Sequence, residues 1–185
     1  PHLALISCAF WCAFELINLR LKNWFYINIP DWGYMRYFGY AVAFGTVIPG
    51  IYLAKEVIHR AIGDLPVRPV SFKPRMSTLV TSGFLILLLV LLFPRFLFAL
   101  TWVFLIPIMD VVNYRLGHTS FIREMAEGRA GAIVSTLLAG MACGFLWEVW
   151  NYWAISKWVY SVPLFEDVKL FEMPILGYLG FAFFA

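Results

Sequence analysis

Two glutamates set inside apolar stretches carry most of the chemistry this chain offers. Phe14-Glu15-Leu16-Ile17-Asn18 is followed by Trp24-Phe25-Tyr26 and Pro30, and Trp147-Glu148-Val149-Trp150-Asn151 by Trp158-Val159-Tyr160 and Pro163. Each copy reads aromatic-Glu-x-x-Asn, then Trp-x-Tyr, then Pro, and each leads to an apolar run bearing a Gly-Tyr pair, Gly39-Tyr40 or Gly177-Tyr178. Residues i and i+3 share a helix face, so each Glu and its Asn form one polar patch. A charged side chain inside a bilayer costs about 3 kcal/mol or more, so such residues face the bundle interior or a wet cavity. Glu148 and Glu15 are thus the candidate acid/base groups, with Asn151 and Asn18 orienting them. A plainer reading has each Glu and Asn bonding to a neighbouring helix, with Trp-x-Tyr as ordinary interface anchoring. Conduction of protons or ions is a third.

Glu148 sits in the densest aromatic surroundings, beside Trp147, Trp150, Tyr152 and Trp153. Those rings exclude water while Asn151 offers a hydrogen bond, so the sequence marks a hub and leaves its charge open. Asp110-Val111-Val112-Asn113-Tyr114-Arg115-Leu116 is a shorter echo of Glu15-Leu16-Ile17-Asn18-Leu19-Arg20-Leu21, which adds Asp110 to the candidates. Glu172, in Phe171-Glu172-Met173-Pro174, either caps a helix N-terminus or joins the polar site. His2, His59 and His118 are too scattered for metal spacing, so no metal site is expected. No phosphate loop, nucleophile elbow or dinucleotide fingerprint appears, and the cofactor is unknown.

Helices must position these groups. Apolar runs predict spans over about Leu3–Leu19, Met35–Ala54, Met76–Phe93, Phe96–Asn113, Ala130–Trp153 and from about Val168 onward. Read as one helix, Met76 to Asn113 would be about 57 Å long, beyond the roughly 30 Å hydrocarbon core, so a hairpin turning at Pro94-Arg95 is expected. Ser120 to Met125 reads as a short interfacial helix. Gly140 and Gly144, with Ala139 and Cys143, form a small-residue face that favours close helix contact. The even-numbered connectors hold Lys55, Arg60, Arg68, Lys73, Arg75, Arg115, Arg123 and Arg129, against Arg20, Lys22, Arg36, Arg95, Lys157 and Lys169 in the odd ones. That excess leans towards even connectors in the cytoplasm.

Composition agrees. Of 185 residues 62% are hydrophobic, 19% aromatic and only 14% charged. A soluble domain carries about 25% charged residues, so lipid must solvate part of this surface. The net charge of +3 lies in connectors, which speaks against nucleic-acid binding. Cys8, Cys12 and Cys143 lie in apolar stretches and read as packing residues. The opening stretch lacks a basic n-region and reads as a true span, and neither Pro1 nor Ala185 reads as a natural terminus.

The stretch from Trp147 to Phe181 resembles a family of uncharacterised bacterial polytopic membrane proteins. The resemblance rests on Trp147 to Trp153, Lys157-Trp158-Val159-Tyr160 and Leu170 to Gly177, and extends to Asp110–Ser120 and the Glu15–Pro30 copy. More distantly, an acidic residue, Trp-x-Tyr, then Pro and Glu opening the next helix is similar to integral-membrane lycopene cyclases, although here Glu172-Met173-Pro174 reverses the order of Pro and Glu. That resemblance implies acid–base chemistry by intramembrane carboxylates on a polyene.

The resulting expectation is an all-α, polytopic transmembrane bundle of about six spans. It forms a single domain over 1–185, with repeat copies at about 3–54 and 131–185 around a central hairpin at about 76–113. The repeats are expected to be related by a pseudo-two-fold axis along the membrane normal. Expected partners are the lipid bilayer, other membrane subunits and a lipid-soluble small molecule, in a bacterial inner membrane. The expected function is a membrane-embedded enzyme acting on a lipid or isoprenoid, against a non-catalytic subunit of a larger membrane complex.

Overall fold

A computed structural model describes residues 2–70, 75–163 and 167–185. Lys73 and Pro74 of the second connector, and Pro1, lie outside them. The chain runs through α1 (His2–Leu21), β1 (Trp24–Ile27), α2 (Gly33–Gly45), α3 (Val47–Ile62), α4 (Met76–Leu92), α5 (Pro94–Leu97), a 3-10 turn (Phe98–Trp102), α6 (Leu105–Leu116) and α7 (Phe121–Ala126). It continues through α8 (Gly131–Trp153), β2 (Lys157–Tyr160), β3 (Lys169–Leu170), β4 (Met173–Pro174), a second 3-10 turn (Ile175–Gly177) and α9 (Tyr178–Phe184).

Four segments are long and apolar enough to cross a membrane: His2–Leu21, Gly33–Ile62, Pro94–Leu116 and Gly131–Trp153. The other two expected spans appear as shorter apolar helices, Met76–Leu92 and Ile175–Phe184. Each reaches only about 15–26 Å at 1.5 Å per residue. The fold is mainly helical, as the apolar periodicity predicts, with two small antiparallel sheets that it does not: β1 with β2, and β3 with β4.

Local chemistry sets the bends. Pro49 lacks the N–H that would bond to Gly45, and the chain is interrupted at Thr46 between α2 and α3. Ser7 of α1 fills the gap: its hydroxyl donates to the Phe44 carbonyl at 2.5 Å and accepts from the Ile48 N–H at 3.0 Å. The chain turns at Phe93-Pro94, and α6 packs along α4. Gly83 permits that contact, since a Cβ there would overlap Ile108 and the Phe104 carbonyl. The Ser120 hydroxyl accepts from the Arg123 N–H at 3.2 Å and starts α7 within the expected segment.

The centre of the bundle is α8, which packs against α3 on one side and α9 on the other. The small face works as expected: a Cβ on Gly140 would overlap the Phe181 carbonyl, and one on Gly144 would overlap the Phe181 ring. Small residues let two backbones approach in a setting where apolar burial drives little association. Much of the most deeply buried surface is polar, including Ser7, Thr101, Ser135, Glu148 and Asn151. Lipid-facing proteins need no hydrophobic centre, and the exposed positions include Leu5, Ile6, Leu16, Leu53, Val57 and Phe84.

Candidate functional site

The two motifs meet at one end of the bundle, joined by the β1–β2 sheet. Its register pairs Trp24 with Tyr160, Phe25 with Val159 and Tyr26 with Trp158. Side chains alternate along a strand, so Trp24, Tyr26, Trp158 and Tyr160 share one face. That face meets the glutamates. Glu15 Oε1 accepts from the Tyr26 hydroxyl at 2.6 Å, the Trp11 indole at 2.9 Å and the Trp24 indole at 3.0 Å. Glu148 Oε1 accepts from the Tyr160 hydroxyl at 2.7 Å and the Trp158 indole at 3.1 Å, and that indole also lies 2.8 Å from the Tyr160 hydroxyl.

The asparagines act on the backbone instead of on the carboxylates. Asn151 donates to the Trp158 carbonyl at 2.8 Å and accepts from the Trp158 N–H at 2.9 Å, pairing with both backbone groups of one residue as an antiparallel strand neighbour would. Asn18 donates to the Trp24 carbonyl at 2.8 Å and accepts from the Asn23 N–H at 2.9 Å. Lys22, at φ 57°, makes the turn that returns the chain to Asn18. Helix and strand are thereby clamped together, and each indole is delivered to the carboxylate one turn below. The Asn orients its Glu at one remove, through the tryptophan.

The two copies differ where α8 meets α9. Trp11 lies four residues before Glu15, and the matching place before Glu148 is Gly144, whose open side is filled by Phe181. Glu148 therefore lacks a third donor. It is wholly buried, and its Oε2 has no hydrogen-bond partner among the described residues.

Burial holds the Tyr160 hydroxyl well above its ordinary range, and the negative charge of Glu148 adds to the effect. Tyr26 is raised chiefly by burial and then by its bond to Glu15. Both tyrosines are held as proton carriers, each one bond from a carboxylate. Both also line a cavity of about 330 Å³ bordered by the sheet, α1, the α2–α3 junction, α8 and α9. Its wall includes Asn151 and is otherwise mainly aromatic. Trp102 helps fix the wall by stacking on Phe14 at 5.4 Å and on Trp24 at 5.9 Å. The glutamates themselves stand behind it. Such a layout can pass a proton between a guest and a carboxylate through a tyrosine oxygen, in either direction.

The remaining candidates lie elsewhere. Asp110 sits at the opposite end of the bundle, where its carboxylate accepts from the N–H groups of Phe121 at 2.5 Å and Ile122 at 3.1 Å and so caps α7. It borders a second cavity of about 410 Å³, with Lys55, Asn113 and Thr136. Glu172 is paired with Lys157 Nζ at 2.5 Å, and that ammonium also lies over the Tyr152 ring. Glu172 thus stays off the Trp–Tyr wall. Trp11, Trp24, Tyr26, Trp158 and Tyr160 belong to the site as well; the repeated Trp-x-Tyr spacing signals the last four, and nothing in the sequence singles out Trp11. Among the described residues no three His, Cys, Asp or Glu side chains converge to hold a metal ion.

Compared with protein-family models, curated proteins and solved structures, the chain matches none of them. What defines it is its own geometry, that of an apolar helix bundle with two glutamate–tyrosine pairs around one aromatic cavity.

Proposed function

We infer that this is a membrane-embedded enzyme that takes a lipid or isoprenoid into the aromatic cavity and works on it by acid–base chemistry. One observation carries the reading: Tyr26 and Tyr160 both line the cavity, and each donates to a glutamate directly behind it. The tyrosine oxygen takes a proton from the substrate as its own proton passes to Glu15 or Glu148, and the reverse transfer returns it. Asn18 and Asn151 hold the strands that carry these tyrosines.

This reading includes six spans in a bacterial inner membrane and two copies related by a pseudo-two-fold axis along the membrane normal. The sheet supports the axis. Exchanging the copies turns the Trp24–Tyr160 pair into the Trp158–Tyr26 pair, the relation a two-fold through the Phe25–Val159 pair would produce.

A second reading has a specific observation behind it. Glu15 is already satisfied by donors from its own chain segment, as expected of a non-catalytic subunit in a larger membrane complex. Lipid extracts compared by mass spectrometry separate the two. A strain lacking the gene should change its lipid or pigment profile, with recovery on adding the wild-type gene but not the Glu148→Gln form. An unchanged profile, with loss of a co-purifying complex, would favour the subunit.

A further inference from the structure

The cavity is electrostatically one-sided. Six of the chain's eight tryptophans line it: Trp11, Trp24, Trp102, Trp147, Trp150 and Trp158. Trp11, Trp24 and Trp158 direct their N–H groups to Glu15 or Glu148, so what they offer a guest is ring carbon. The face of an aromatic ring is negative, and indole attracts a cation most strongly. None of the described residues lining the cavity is Lys or Arg.

The groups behind the wall are two acids, Glu15 and Glu148. Elsewhere Arg129 takes Glu124 and Glu127, and Lys157 takes Glu172. Among the described residues neither Glu15 nor Glu148 has a cationic partner, and Glu148 keeps a buried oxygen without a donor. A small metal ion would need several oxygen ligands in place of its water shell, and this wall offers mainly carbon. A weakly hydrated organic cation needs none.

We propose that the cavity binds an ammonium group with hydrocarbon substituents on an apolar body, held by the indole faces with Glu15 and Glu148 as its counter-charge. The proposal rests on the reading of this cavity as the ligand site and names the chemical class of its ligand.

The test uses benzyltrimethylammonium and its uncharged isostere neopentylbenzene, titrated against the protein in lipid nanodiscs. Tryptophan emission is the readout, corrected with empty nanodiscs. The cation should bind saturably and at least about tenfold more tightly than the isostere. Glu15→Gln with Glu148→Gln should weaken the cation about tenfold and leave the isostere unchanged. Should that variant fail to fold, the two probes on the wild-type chain still decide. Equal binding of both probes overturns the cation and keeps the ligand site, whereas saturable binding of neither removes both. Two lipid compositions then separate the sources. Weaker binding in phosphatidylcholine than in uncharged digalactosyldiacylglycerol assigns the group to a lipid headgroup, and equal binding assigns it to a free amine.

Discussion

Tyr26 and Trp158 face each other across the β1–β2 ladder, yet they serve different carboxylates, Glu15 for the tyrosine and Glu148 for the indole. The sheet is the part the two sites share. A one-residue slip of either strand would turn its ring to the other face and strip donors from one glutamate. Pinning that register is the work of Asn18 and Asn151.

Asn151→Ala removes both bonds to the Trp158 peptide. The expected loss is about 1–3 kcal/mol, since the half-buried N–H and C=O of Trp158 are left without these partners. Asn151→Asp keeps the acceptor and loses the donor, so it should fall between. Unfolding in mixed micelles gives the ranking, and hydrogen exchange at Trp158 should speed up in the same order. Equal exchange in all three proteins would mean that the ladder holds without the clamp.

Glu148→Gln retains an oxygen where Tyr160 and Trp158 point, so the bundle should lose under about 1 kcal/mol. Glu148→Leu leaves the Tyr160 hydroxyl with no acceptor in a buried place and should cost about 1–3 kcal/mol. On the acid–base reading Gln is folded and inactive. A Gln protein with full activity would end that reading.

Gly144→Ala and Gly140→Ala should each destabilise the α8–α9 contact, by about 1–3 kcal/mol or more. Their rescue should differ. At Gly144 the obstacle is the Phe181 side chain, and at Gly140 it is the Phe181 carbonyl. In a Phe181→Gly background, Gly144→Ala should therefore add little, while Gly140→Ala keeps its full cost. A double-mutant cycle that couples both glycines equally to the Phe181 ring would contradict this packing.

The pH dependence has a definite sign. A tyrosine is neutral when protonated, and Tyr26 and Tyr160 are both raised above the ordinary 10.0. Above that pH the unfolded chain has released protons that the folded chain still holds. The stabilisation from these two groups is therefore fully present below about pH 10 and lost as pH rises through the folded values. Tyrosinate absorbance should show a late-titrating fraction that shrinks by two residues in Tyr26→Phe with Tyr160→Phe. A wild-type curve with all nine tyrosines titrating together near 10 would exclude the buried pairs.

Two spans were legible because lipid-solvated runs advertise themselves by length: the span expected over Leu3–Leu19 is His2–Leu21, and that over Ala130–Trp153 is Gly131–Trp153. The second helix, by contrast, runs on to Ile62 past the expected Ala54, and the last begins at Ile175 instead of Val168 because two strands intervene. The carboxylates and their asparagines were legible from spacing alone. The strands were not. Trp-x-Tyr also suits an interface anchor, and pairing β1 with a strand at the far end of the chain depends on contacts that no local pattern contains. Asp110 shows the converse. Its letters echo Glu15, but they fall where α6 meets α7, so the same Asp-x-x-Asn spacing makes a helix cap at the other end of the bundle.

Each glutamate draws its donors from its own stretch of chain, within four to twelve residues. This bears on how the protein is made. The segment carrying Glu15 can answer its acid while the rest of the chain is still being synthesised, and the segment carrying Glu148 can do the same after it. Neither acid has to wait bare in lipid for a distant helix to arrive. The strands then join two halves that are already finished, so assembly is a late docking step, and a ribosome-stalled N-terminal piece should insert in the bilayer with its Glu15 cluster formed.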